Sequence, residues 1–180
     1  MTASPPERIG KYPITRELGR GATSIVYLAR DPIADRDVAI KVVKSDATSD
    51  TDLQRRFRRV FLNEAALVGK LFHPNILAIY DAVMDEEQSY IVMEYIDGQT
   101  LESSCDVANL LPLNRVVEII FKCSLALAFA QRHGVIHCDI KPANILISGD
   151  IDIKISDFGA ALYEQADHTH LKGVGSPAYM

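Results

Sequence analysis

Residues 116–130 constrain the fold more than any other stretch. They read V-V-E-I-I-F-K-C-S-L-A-L-A-F-A, apolar almost throughout, with Glu118 and Lys122 the only charges. Wound as a helix, this segment is greasy on nearly every side and has to be covered by several neighbours. It cannot be a membrane span, because it is too charged and falls short of the ~20 apolar residues a span needs. It therefore predicts a helix inside a multi-element core. The chain has 180 residues, enough for one ordinary domain or two small lobes, and 48% of them are hydrophobic. Little helical pattern follows residue 130. The expectation is a large apolar surface on this helix, which marks either a partner site or an aggregation liability.

The remaining composition excludes several classes. The net charge is −5 and no broad basic face is evident, which argues against nucleic-acid binding. The three cysteines, Cys105, Cys123 and Cys138, are odd in number and lack metal-ligand spacing. They read as free thiols in a reducing, cytoplasmic setting. The N-terminal M-T-A-S-P-P-E-R has no apolar core and is no secretory signal.

Before the helix, the periodicity is that of strands. Residues 1–11 read as a tail. Residues 12–18 and 24–30 read as two strands joined through G-R-G-A-T, where Gly19 and Gly21 suit a hairpin turn and a phosphate cradle equally well. Residues 37–43, D-V-A-I-K-V-V, read as a buried strand carrying Lys41, which either snorkels at an edge or is a buried cation in need of an anion. A helix is expected over residues 52–71, with Phe57, Phe61, Val68 and Leu71 on one face and Glu64 within the same stripe. Glu64 is either a rim residue or the partner of Lys41, since a carboxylate in an apolar stripe is expensive alone. Arg55, Arg56, Arg58 and Arg59 read as a solvated face. Residues 76–83 and 89–96 read as two more strands, and Asp97-Gly98 as a connector.

The polar chemistry is concentrated in residues 136–146, I-H-C-D-I-K-P-A-N-I-L. Asp139, Lys141 and Asn144 crowd a short loop between apolar strand-like pieces at 135–136 and 145–147. A third piece at 151–155 runs into Asp157-Phe158-Gly159, and residues 160–180 read as a long loop.

Taken in order, these segments resemble the eukaryotic-type serine/threonine protein kinases in their bacterial form, over nearly the whole chain. Gly19 to Val26 is similar to the glycine-rich loop, with Ser24 where a third glycine is usual. Val38-Ala39-Ile40-Lys41 and Glu64 match the strand lysine and its helix glutamate. Met93-Glu94-Tyr95-Ile96 looks like the gatekeeper and hinge, residues 137–144 like the catalytic loop, and Asp157-Phe158-Gly159 like the metal-binding triplet.

The resemblance implies an α+β, two-lobed kinase-like fold: a five-stranded antiparallel N-lobe with one main helix over residues 12–96, and an incomplete helical C-lobe over residues 97–180. It implies ATP held by Leu18, Gly19, Gly21, Val26, Ala39, Lys41, Met93, Glu94, Ile96 and Leu146, and Mg²⁺ held by Asn144 and Asp157. It further implies Asp139 as the acceptor of the substrate hydroxyl proton, Lys141 on the γ-phosphate, and Lys41 held by Glu64. His137 and Phe158 would stack in a spine with Val68 and Ile79. The partners implied are ATP and a protein with a Ser or Thr acceptor; the lysine two residues after the aspartate marks Ser/Thr specificity in this family.

One departure is Cys138, where the family commonly has an arginine, so phosphate at Thr169 or Ser176 would lack its usual partner. Another is that the chain stops at Met180, short of the family's later helices. The alternative reading is accordingly a catalytically impaired nucleotide-binding or regulatory kinase fragment.

Overall fold

Alternation along three neighbouring strands builds the first half of the molecule. The computed structural model describes residues 5–21, 24–43, 61–67, 69–84, 89–149, 152–158 and 162–163. Expectations for Arg55, Arg56, Phe57, Arg58, Arg59, Val68, Gly159, Thr169 and Ser176 lie outside the described residues, as do residues 52–60 of the expected helix and most of residues 160–180. The chain separates into two compact units, Met1–Gly69 with Ile79–Tyr95, and Lys70–Ala78 with Ile96–Met180.

In the first unit, β1 (Arg8–Ile9), β2 (Tyr12–Arg20), β3 (Ser24–Asp31), β4 (Arg36–Val43), β5 (Ile79–Val83) and β6 (Tyr90–Glu94) form one antiparallel sheet in the order β1-β2-β3-β4-β6-β5. Because side chains alternate across a strand, the pairings Tyr27↔Ile40↔Val92 and Ala29↔Val38 put these residues on one face. There they pack with Ile9, Tyr12 and Tyr90 as a core. The pairings Val26↔Lys41↔Ile91 and Leu28↔Ala39↔Met93 define the other face.

The sheet has six strands where the sequence suggested five. The extra one lies in the expected tail: Ile9 is fully buried and pairs with Tyr12 across a turn whose Gly10 has φ +53°. A Cβ at Gly10 would also overlap the Tyr90 hydroxyl, so that turn requires glycine on both counts. Tail-like composition did not reveal two residues that contribute one core side chain.

In the second unit, α1 (Leu113–Arg132) starts after Pro112 and is capped at His133, followed by Gly134, φ +73°, whose N–H donates to Gln131 O. The unit also holds β7 (Gln99–Thr100), β8 (Val135–Ile136), β9 (Ile145–Ser148), β10 (Asp152–Ile155) and β11 (Leu162–Tyr163), as a three-stranded sheet β10-β9-β7 and a β11-β8 pair. Strand β11 falls where the sequence suggested only loop. Ile119, Cys123, Ala126 and Ala130 bury one stripe of α1, while Val117, Ile120, Phe121 and Leu125 on its other sides stay about half exposed. The expected apolar surface is thus present.

Residues 70–78 belong to this second unit, and not to the strand-rich lobe in which the sequence reading put them. Asn75 O accepts from Ile155 N at 2.9 Å, Leu77 N donates to Ile155 O at 2.9 Å, and Asn75 Nδ2 donates to Ile153 O at 3.0 Å. His73 stacks on Phe129 of α1 with ring centroids 5.1 Å apart. The strand expected at 76–83 accordingly begins only at Ile79.

Gly98 proves to be a packing position as well as a connector. A Cβ there would overlap the Ile147 carbonyl oxygen and sit 2.9 Å from Ile147 C and 3.2 Å from Ser148 Cα, all backbone atoms of β9. Gly98→Ala is expected to lower stability by about 1–3 kcal/mol, the usual range for an overpacked site. Urea denaturation would measure it, and an unchanged midpoint would contradict this account.

Candidate active site

In the first unit the candidate residues centre on Lys41. Its strand position puts it on the same face as Val26, Ala39, Ile91 and Met93. Residues 61–65 are helical and bring Glu64 to it. Lys41 Nζ donates to Glu64 Oε1 at 2.8 Å, with side chains only 16% and 5% exposed. The alternatives for both residues, an edge lysine and a rim glutamate, are thereby set aside. Leu18 sits at a register shift between Glu17 and Gly19, and Gly19 pairs with Val26. Gly21 N donates to Ser24 O at 2.9 Å. A Cβ at Gly19 would meet nothing within 4 Å, and one at Gly21 would make only ordinary contact. The packing of this turn does not itself demand either glycine. Met93 and Glu94 close β6, partly buried.

In the second unit the loop between β8 and β9 is held from within. His137 is 3% exposed. Asp139 N donates to its Nδ1 at 3.2 Å, and its Nε2 lies 3.0 Å from Ser156 O. That pair of partners sets the neutral tautomer with Nε2–H donating. Burial is the main cause holding the ring's pKa below its ordinary value, against the raising effects of the Ser156 carbonyl and the Asp157 and Asp139 charges. The ring also stacks on Phe158 at 4.5 Å.

Asp139, Lys141 and Asn144 converge. Lys141 Nζ donates to Asp139 Oδ2 at 2.9 Å, and Asn144 Nδ2 donates to the same oxygen at 3.2 Å and to the Asp139 carbonyl at 2.8 Å. A single turn of 3₁₀-helix, Pro142–Asn144, supplies the bend, closed by Asn144 N to Lys141 O at 2.9 Å. Asn144 is 4% exposed.

Cys138 and Asp157 both have φ +63°, a region non-glycine residues seldom occupy and one that costs roughly 1–3 kcal/mol in strain. Such strain collects where side chains must be aimed. Leu146 lies partly buried in β9, paired with Thr100, and Ile96 is partly buried at the start of this unit's main segment.

Among the described residues no cluster of three or more His, Cys, Asp or Glu side chains forms a metal cage. The oxygens that the resemblance would give to a metal, the Asn144 amide oxygen and the Asp157 carboxylate, are few and hard. That set suits Mg²⁺, which keeps most of its shell for water and phosphate.

The protein kinase domain profile matches residues 12–180. The chain belongs to the protein kinase family. Curated relatives of this kinase chain include the serine/threonine-protein kinase PrkC of Bacillus subtilis, 40% identical over 95% of the chain and 26% of the relative. The serine/threonine-protein kinases PknB of Mycobacterium leprae and of Mycolicibacterium smegmatis are 41% and 43% identical over 88% and 84% of the chain. The chain spans about a quarter of the length of these relatives.

Two residues that brace this region, Asn75 and Ser156, were not among the candidate site residues read from the sequence. Asn75 bonds to β10, just before Asp157 and Phe158. Ser156 bonds to both His137 and Asn144. Asn75 reads in the sequence only as the end of the H-P-N turn at 73–75, and only adjacency to Asp157 could have drawn attention to Ser156.

Proposed function

We propose that this chain is the ATP-binding and catalytic part of a serine/threonine protein kinase, which moves the γ-phosphate of Mg-ATP to a Ser or Thr hydroxyl of a protein. The observation that carries the reading is the convergence of Lys141 and Asn144 on one carboxylate oxygen of Asp139. A carboxylate so anchored is preset to accept the proton of an approaching hydroxyl. As the substrate hydroxyl oxygen bonds to the γ-phosphorus and its proton passes to Asp139, the bond from phosphorus to the β–γ bridging oxygen breaks and ADP departs. Lys141 offsets charge on the transferred group, and Lys41, steadied by Glu64, offsets it on the α- and β-phosphates. Leu18, Val26, Ala39 and Leu146 are apolar and suit the faces of an adenine. The backbones of Glu94 and Ile96 would take its polar edge, beside Met93, while the Gly19 and Gly21 amides would take the phosphates. Mg²⁺, when held by Asn144 and Asp157, supplies neutralising charge across the phosphates.

Three cysteines without disulfides agree with a reducing, cytoplasmic location. Among the described residues no helix is long and apolar enough to cross a membrane. The half-exposed sides of α1 favour a covering protein partner.

Incubation with γ-labelled ATP, Mg²⁺ and a Ser/Thr-containing protein tests the reading. Label recovered as phosphoserine or phosphothreonine is expected. A thermal shift with Mg-ATP and no label transfer would leave a nucleotide-binding module and remove the transferase.

A further inference from the structure

Ser156 ties together the two residues to which the kinase reading gives the metal. It is covalently joined to Asp157. Its N–H donates to Asn144 O at 2.9 Å, and its Oγ lies 3.2 Å from the same oxygen. Its own carbonyl takes His137 Nε2–H at 3.0 Å. Asn144 in turn donates to Asp139. The last residue of β10, Ile155, is fully buried and hydrogen-bonded to Asn75 on one side, so Ser156 springs from a fixed point. Asp157 then turns away at φ +63°.

We propose that Ser156 is a positioning residue: its hydroxyl, as a second donor to the Asn144 carbonyl, sets the spacing between the Asn144 amide and the Asp157 carboxylate and thereby the affinity for Mg²⁺ with bound nucleotide. The backbone bond alone leaves the Asn144 carbonyl able to pivot about one donor. Two donors from one residue, directed at one oxygen, remove that freedom. The hydroxyl touches neither of the implied metal-binding atoms, so its effect on them runs through Asn144. This inference rests on the kinase reading and adds to it a residue that the signature motifs do not contain.

The test uses the full chain and a fluorescent ATP analogue titrated with Mg²⁺, with and without the metal. Ser156→Ala is expected to raise the half-saturating Mg²⁺ concentration about three- to tenfold, the range that one neutral hydrogen bond supports. Analogue binding without Mg²⁺ should be unchanged. Ser156→Thr, which keeps the hydroxyl, should restore the midpoint to within about twofold, and Ser156→Cys, a weaker donor, should fall between. Ser156→Cys carries the test if the alanine variant does not fold. Equal midpoints in wild type and the hydroxyl-free variants would overturn the inference and leave the kinase reading standing. So would equal shifts in the alanine and threonine variants, or a loss of metal-free binding that matches the midpoint shift. A wild-type chain whose analogue binding ignores Mg²⁺ would overturn both.

Discussion

Asp139→Asn is expected to lower phosphate transfer by about 10²–10⁴-fold, the usual contribution of a general base. Nucleotide binding should stay within about twofold, because the kinase reading gives Asp139 neither a metal nor a nucleotide contact. The substitution isolates proton acceptance. An asparagine has nearly the same shape and keeps a carbonyl oxygen that can accept from Lys141 Nζ and Asn144 Nδ2, the two donors that now meet Asp139 Oδ2. What it lacks is a negative charge and the capacity to take a proton. Single-turnover transfer from labelled ATP would measure the chemical step, and a fluorescent nucleotide would measure binding. Transfer within tenfold of wild type would remove Asp139 from the role of base. A parallel loss of binding would show that the carboxylate acts on the loop's structure.

The second large effect concerns stability. Lys41→Ala is expected to destabilise the first unit by about 3–5 kcal/mol, the range for removing one member of a buried pair. Glu64 is only 5% exposed and would keep a buried carboxylate without the ammonium that now sits 2.8 Å away. The double variant Lys41→Met with Glu64→Leu should recover most of that loss, because well-packed apolar residues often replace a buried pair at little cost. It should still bind ATP poorly, having no cation for the phosphates. Urea midpoints and nucleotide titrations on the three proteins separate the two roles. A single variant as stable as wild type would mean that water reaches the pair freely. A double variant with wild-type ATP affinity would remove Lys41 from the phosphates.

Much of the site was legible because it depends on local order. Val38 to Lys41 alternate as a strand must, which places Ala39 and Lys41 on one face and Val38 and Ile40 on the other. The loop from His137 to Asn144 is short and flanked by apolar strands, so its polar groups had to turn on one another. Gly98 was legible only in part. A glycine after an aspartate reads as a connector, and nothing nearby in sequence indicates that the β9 backbone lies against it.

What the sequence by itself determined is therefore the faces of β3, β4 and β6, the apolar character of α1, and the kinase signature with its candidate residues. Periodicity and motif spacing are properties of neighbouring residues and survive without a structure. Only the tertiary structure decided that Lys41 meets Glu64, that Ile9 closes the core of the first unit, that residues 70–78 join the second unit, and that Ser156 braces Asn144. Each of these rests on atoms brought together from separate parts of the chain, as with Asn75 and Ile153, separated by 78 positions. Such contacts satisfy buried polar groups or fill one space in a core, and leave no repeating mark in the sequence.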